Sequence, residues 1–387
     1  MFFSSIWLFY LFFIYVLTPP TSEQSISYSF FTYMGLPYIE NTFREVTPSV
    51  FLPIHTYQNA TFLSKVIYKI DDPNNLTETM EVKVNNKSFH LSIVTKSVYY
   101  NTKLNNEIIK TFSFLHVDSF MFDFFSSGYG ATYKFNDESF SFIHQLYNNK
   151  KIDSKQFTII PREEENLTIG SIHFGTPPQK KDNTYYQFNG KCKVNNKFPY
   201  WGCHLLSIKI GELFLPINKY SVFNTCDMNM IESKEFFKFI EMKLLNKNIL
   251  NHICFVNENE EGLFFLKCIT RNILLDKDII FEFEGFIFKL ELKLLFGCLG
   301  DTCTSRFGYK IEEDGGDDSI VFFGYPFMSL FNGINFNYDK EEISFYSTDL
   351  IFQNFKEKNK YLFSIFLLAD LLTSIGIINL ILVKFCI

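Results

Sequence analysis

From Glu78 onward the apolar and polar positions fall into a regular order. Met80, Val82 and Val84 alternate with polar neighbours, Asn85-Asn86-Lys87 turns, and Phe89, Leu91 and Ile93 alternate again. A period of two on both sides of a turn predicts a hairpin with one buried face. The second half of the chain repeats the arrangement: Leu206, Ile208 and Ile210, a turn at Gly211-Glu212, then Leu213, Leu215 and Ile217 running on to Val222. Each return strand leads into a short polar stretch, Val94-Thr95-Lys96-Ser97 in the first copy and Asn224-Thr225-Cys226-Asp227 in the second. Between the copies, Phe142, Ile143, Leu146 and Tyr147 sit at helical spacing, and Leu167, Ile169, Ile172 and Phe174 alternate, with bends at Gly170 and Gly175. Ser233 is placed to cap a helix whose apolar face is Phe236, Phe237, Ile240, Leu244 and Leu245. Strands follow over 279–283, 286–290, 320–323, 334–338 and 343–346. Residues 26–72 show no period and carry Pro37, Pro48 and Pro53, which reads as an irregular segment. A hairpin repeated in two halves implies two pseudo-symmetric β-rich lobes with a few short helices, a mainly all-β chain.

Composition sharpens this picture. The chain has 387 residues with 49 phenylalanines and 21 tyrosines, ample apolar area for a core and a bias toward strands. The net charge of −6, with no Lys/Arg cluster interleaved with aromatics, argues against nucleic-acid binding. Residues 6–17 form an unbroken apolar run followed by Thr18-Pro19-Pro20-Thr21-Ser22. That length suits the core of a signal peptide better than a membrane span, with a short buried strand as the alternative. Residues 361–383 are long enough to cross a bilayer as a helix, interrupted by Asp370 and Asn379. Lys356, Lys358 and Lys360 lie on the near side against Lys384 beyond, contrary to the usual charge bias of a single-pass, type I span. A lipid-anchor signal, with attachment near Ser347-Thr348-Asp349 and removal of the tail, would resolve the conflict. Both readings place the body of the protein on a membrane in the secretory pathway or at the cell surface.

Four Asn-X-Ser/Thr triplets, at Asn59, Asn75, Asn86 and Asn166, are acceptors for glycosylation in such a compartment. Of eight cysteines Cys386 lies beyond the tail, and the remaining seven imply three disulfides and one thiol left over. No His/Cys group has metal-ligand spacing, so no metal and no cofactor is expected.

The C-terminal half carries a family resemblance. Trp201-Gly202-Cys203-His204-Leu205-Leu206-Ser207-Ile208-Lys209-Ile210-Gly211, Asp278-Ile279-Ile280-Phe281-Glu282-Phe283-Glu284-Gly285 and Ile320-Val321-Phe322-Phe323-Gly324-Tyr325-Pro326-Phe327, with Phe336-Asn337-Tyr338-Asp339, resemble in order and spacing the second lobe of the pepsin-like aspartic proteases. The resemblance implies a bilobal pepsin-like fold. The expected division is a signal peptide at 1–22, a divergent segment at 23–77, lobes at 78–195 and 196–349, a spacer at 350–360, a span or removed anchor at 361–383 and a tail at 384–387.

Catalysis in that family needs two aspartates, one per lobe, sharing a proton so that one activates water while the other protonates the carbonyl oxygen. The strand endings here match those positions with Val94 and Asn224, neither of which titrates near neutral pH. Substitute carboxylates to consider are Asp227, Asp118 and Asp123, each more simply read as a solvated loop residue. The stretch from Val94 to Gly128-Tyr129-Gly130-Ala131 is also too short for the family's tyrosine-bearing flap hairpin. Asp301-Thr302-Cys303-Thr304-Ser305 resembles a catalytic loop, but the family places a disulfide cysteine there, implying a Cys268–Cys303 bridge. The acidic run Glu312-Glu313-Asp314-Gly315-Gly316-Asp317-Asp318 lacks the spacing of a calcium loop. The sequence thus points to a protein that binds a protein or peptide in the old cleft without cleaving it, with a divergent endopeptidase or a structural subunit of a membrane complex as alternatives.

Overall fold

The computed structural model describes residues 26–33, 36–42, 50–57, 61–64, 79–84, 87–101, 106–117, 129–135, 137–161, 169–178, 190–251, 253–259, 262–269, 277–310 and 320–347, with backbone alone for 26–53, 62–112, 116–117, Leu244, Lys247 and Leu250. These residues are mainly strands joined by short helices, as the hydrophobic pattern predicts. The chain divides into two compact units, Met1–Tyr186 with Asn335–Glu341, and Gln187–Ile334 with Glu342–Ile387.

The first unit contains Ile26–Tyr33 (β1), Leu36–Thr42 (β2), Val50–His55 (β3), Phe62–Ser64 (β4), Thr79–Val84 (β5), Lys87–Asn101 (β6), Asn106–Val117 (β7) and Tyr129–Gly130 (β8). Helix α1 (Phe142–Asn148) and strands Gln156–Ile160 (β9) and Ile169–Phe174 (β10) follow. Its sheet runs β9-β10-β1-β2-β6-β7-β4, with β3 joining β2 to β8 and β5 flanking β6. The segment read as irregular therefore supplies four strands. Pro37 and Pro53 sit inside β2 and β3, where a proline is tolerated if no ladder donor is needed at its position. β6 and β7 form one long hairpin, with Val94 inside it and Tyr99 and Tyr100 near its turn. Helix α1 forms where the apolar spacing places it, with the Ser141 hydroxyl accepting from the His144 N–H at its start. Its Phe142 packs 4.3 Å from Tyr129 and 5.0 Å from Phe174.

The second unit contains Gly190–Lys193 (β11), Gly202–Ile210 (β12), Leu213–Asn224 (β13) and Ile231–Glu232 (β14), then helices α2 (Lys234–Phe239) and α3 (Asn246–Leu250). Strands Cys254–Glu258 (β15), Leu263–Cys268 (β16), Asp278–Phe283 (β17), Phe286–Glu291 (β18), Phe296–Leu299 (β19), Thr302–Lys310 (β20) and Ile320–Gly324 (β21) follow. A short α4 (Tyr325–Met328) precedes Gly333–Asn337 (β22), of which Asn335–Asn337 count with the first unit, and Glu342–Tyr346 (β23). The sheet order is β15-β16-β20-β14-β21-β13-β12-β17-β18, with β19 beside β20. The hairpins predicted at Gly211-Glu212 and Glu284-Gly285 are present. A bulge between Leu205 and Ser207 shifts the phase of β12, so Leu205 rather than Leu206 is fully buried. Ser233 caps α2 through the Phe236 N–H.

Three disulfides join Cys192 to Cys203, Cys254 to Cys268 and Cys298 to Cys303. The count agrees with the cysteine arithmetic, and Cys226 lies outside all three. The expected Cys268–Cys303 pairing is corrected: each of those residues bonds across its own hairpin instead, Cys268 to β15 and Cys303 to β19. Thr302–Ser305 is strand, not a catalytic loop. Among the described residues no helix is long and apolar enough to cross a membrane. Residues 6–17, 312–318 and 361–383, the acceptors Asn59, Asn75, Asn86 and Asn166, and Asp118 and Asp123 lie outside the described residues.

Candidate functional site

In the second unit β13 pairs in parallel with β21 from Tyr220↔Ile320 to Asn224↔Gly324. Val222 and Phe223 are fully buried, and Phe223 lies 5.8 Å from Phe323 and 5.3 Å from Phe345 in a cluster of rings. This apolar anchorage delivers Asn224, half-buried, to the strand end. The Asn224 side-chain oxygen accepts from the Cys226 N–H at 3.0 Å and closes a tight turn. Thr225, between them, has no exposed surface.

The next carboxylate is engaged in the same way. Asp227 Oδ1 accepts from the Asn229 N–H at 2.8 Å, and its carbonyl accepts from the Tyr325 N–H. Burial raises the Asp227 pKa, opposed by its hydrogen bond from Asn229 and by the charge of Lys310. It is held as part of a turn, not presented as a catalytic acid. Gly324 is enforced by this packing: a Cβ there would sit 1.9 Å from the Asn229 carbonyl oxygen and 2.5 Å from that of Asp227. Cys226 keeps some exposed surface, but burial of its thiol pushes the pKa up to about 12, so it stays protonated and a poor nucleophile at neutral pH.

The first unit contains the same construction at a position the sequence reading did not single out. β3 pairs in parallel with β8, Ile54↔Tyr129 and His55↔Gly130, and the Ala131 N–H donates to the His55 carbonyl. Ile54 and Tyr129 are buried, and the threonine that follows His55, Thr56, has no exposed surface. A short strand then pairs in parallel in both units, Phe62↔Leu115 on β4 and β7, and Ile231↔Phe307 on β14 and β20. His55-Thr56-Tyr57 and Asn224-Thr225-Cys226 are therefore counterparts, each preceding its short strand by the same number of residues. His55 is 7 % exposed.

Val94 is not the counterpart of Asn224. It lies in mid-strand on β6 opposite Phe114, and the ladder runs on through Thr95 and Lys96 to a bulge before Val98. A strand that continues cannot offer the turn that a strand-end side chain needs. The signal that would have found His55 is the apolar run Val50-Phe51-Leu52-Pro53-Ile54 ending in a polar residue and threonine, as Val222-Phe223-Asn224-Thr225 does. Pro53 concealed it. Neither counterpart is an aspartate. Among the described residues no group of three or more His, Cys, Asp or Glu side chains is placed to hold a metal ion.

Over 84 % of its length the chain has the pepsin-like fold. It is similar to the aspartic proteinase from Irpex lacteus, with a TM-score of 0.61 and 13 % identity over 84 % of this chain and 98 % of that one. It is similar to basic 7S globulin from soybean, with a TM-score of 0.60 and 10 % identity over 84 % of this chain and 95 % of that one. No family model and no curated protein matches the sequence.

Proposed function

We propose that this chain is a pepsin-fold protein that has lost aspartic-protease chemistry and acts by binding a protein or peptide. The observation that carries the reading is the occupancy of the two counterpart strand ends by His55 and Asn224. Hydrolysis on this scaffold requires two carboxyls sharing a proton, one as base and one as acid. An amide has no proton to exchange near neutral pH, and a lone imidazole does not recreate a shared-proton pair. Asp227 does not compensate, because it lies past the strand end in the following turn, where its Oδ1 accepts from the Asn229 N–H. The apolar runs at 6–17 and 361–383 support display on a membrane facing a secretory lumen or the cell exterior.

The test is capture of peptides from a diverse mixture by the full-length protein in detergent, with the bound fraction read by mass spectrometry. Recovery of a selected set with both ends intact is the expected result. Recovery of paired cleavage products would show an active endopeptidase. That second reading has one observation in its favour, the buried histidine at position 55, and it further requires that His55→Ala abolish the cleavage.

A further inference from the structure

Four of the six bridged cysteines stand in a single row across four neighbouring strands. The ladders pair Cys254 with Cys268, Cys268 with Cys303, and Cys303 with Cys298. Residues directly opposite in antiparallel ladders point to the same face of the sheet, so the four sulfurs line up in strand order β15, β16, β20, β19.

Present bonding joins the outer two pairs, both with Cα atoms 4.0 Å apart. That separation marks close, non-hydrogen-bonded pairs. Because such pairs alternate with hydrogen-bonded ones from one side of a strand to the other, the central pair Cys268–Cys303 is of the wider type. Its Cα separation of about 5.5 Å is the common one for a disulfide. The row also has an open end and a closed one. Cys298 is exposed beside Leu299, which is 89 % exposed, whereas Cys303, Cys268 and Cys254 are each at most 1 % exposed.

We infer that this row is a thiol–disulfide relay, entered at Cys298 by a small monothiol and ending in release of Cys254. The thiolate of the incoming molecule attacks Cys298 Sγ. It forms a mixed disulfide there and expels Cys303 as thiolate on the far side of the sulfur it attacks. Cys303 in turn attacks Cys268 Sγ, forms the Cys268–Cys303 bond and expels Cys254, which takes the proton given up by the incoming thiol. Two disulfides are present before and two after, so no net oxidant or reductant is consumed. In the second displacement nucleophile, central sulfur and leaving sulfur lie on successive strands, Cys303 on β20, Cys268 on β16 and Cys254 on β15. The effect is to replace staples within the β15–β16 and β19–β20 hairpins by one bond between them. The edge strand β15, which carries the exposed Phe255 and Val256, is then released from its covalent tie. Nothing in this relay depends on whether the protein binds or cleaves peptides.

The experiment treats the full-length protein with a small excess of glutathione and quenches in acid. Thiols are then alkylated in denaturant and the peptides mapped without reduction. The expected result is glutathione on Cys298, loss of the Cys254–Cys268 linked peptide, appearance of a Cys268–Cys303 linked peptide, and alkylation at Cys254. Glutathione on Cys298 or Cys303 with the Cys254–Cys268 peptide unchanged would overturn the relay, as would the absence of any adduct. The variant Cys298→Ser provides a second reading without added thiol, since Cys303 then begins as the attacking group. It should accumulate the Cys268–Cys303 bond with Cys254 alkylated, and retention of Cys254–Cys268 would contradict the proposal. Should that variant fail to fold, Cys254→Ser/Cys298→Ser keeps only the central pair, which must close to a disulfide.

Discussion

His55 and Asn224 end their strands in the same manner, yet the loops they open are secured differently. In the second unit the loop is closed by its own side chains: Asn224 holds the Cys226 N–H, Asp227 holds the Asn229 N–H, and Gly324 lies where no Cβ fits. In the first unit, among the described residues, Thr61 contributes to closure. Its hydroxyl accepts from the Gly130 N–H, and its backbone bonds Phe140 on one side and Leu115 on the other. The two loops share a position in the fold and a buried threonine, with His55 at one strand end and Asn224 at the other. What the two ends share is the part that packing demands, and the strand-end residue itself is where they differ. At Asn224 the strand-end residue also serves the turn, through its side-chain oxygen.

The largest effect that would break the second loop and spare the first is expected from Gly324→Ala. Its Cβ would collide with two backbone carbonyls, neither of which can yield without undoing the turn. A loss of about 4 kcal/mol or more is expected, read by chemical denaturation, and a near-neutral result would show that the loop packs otherwise. Next comes the apolar anchor of each loop. Phe223→Ala, which empties the centre of a ring cluster, should cost about 3–5 kcal/mol, and Ile54→Ala about 2–4 kcal/mol; equal costs would remove the contrast in anchorage. Smaller again is Asn224→Ala. It leaves the Cys226 N–H without its acceptor and should cost about 1 kcal/mol, whereas Asn224→Asp retains an acceptor oxygen and should cost less.

The smallest effect concerns Asp227 and depends on pH. Its folded pKa is raised above that of the unfolded chain, chiefly by burial. The fold therefore favours the protonated form, and that contribution is full in acid and lost as pH rises through the raised value. Asp227→Asn carries no charge at any pH and can still accept from Asn229. Its stability relative to the parent should be greater at neutral pH than in acid, as compared by thermal melting at the two conditions. A constant difference would show that Asp227 is not strained by burial.

Much of the second unit was legible because several of its strands, β13, β17 and β18 among them, follow the period-two pattern. Gly211, Gly285 and Ser233 each mark a boundary that the structure keeps. The first unit was harder to read at the point that matters. The most regular alternation, 80–93, belongs to a hairpin that does not carry the strand-end residue, whereas the strand that does contains Pro53 and begins only two residues after Pro48. The disulfide register was hidden for a different reason. Cys268 faces Cys254 on one side and Cys303 on the other, so the strand register alone leaves both pairings open. Asn224 was found from sequence because its strand, turn and following threonine are all local.

The central claim is that no pair of titratable carboxyls occupies the counterpart strand ends. It is tested most directly by incubating the full-length protein with denatured protein substrates across about pH 3 to 7, with and without pepstatin, because a shared-proton dyad works in that range. No pepstatin-sensitive cleavage is expected at any pH. Cleavage that pepstatin abolishes would contradict the account and require a carboxylate pair elsewhere in the chain.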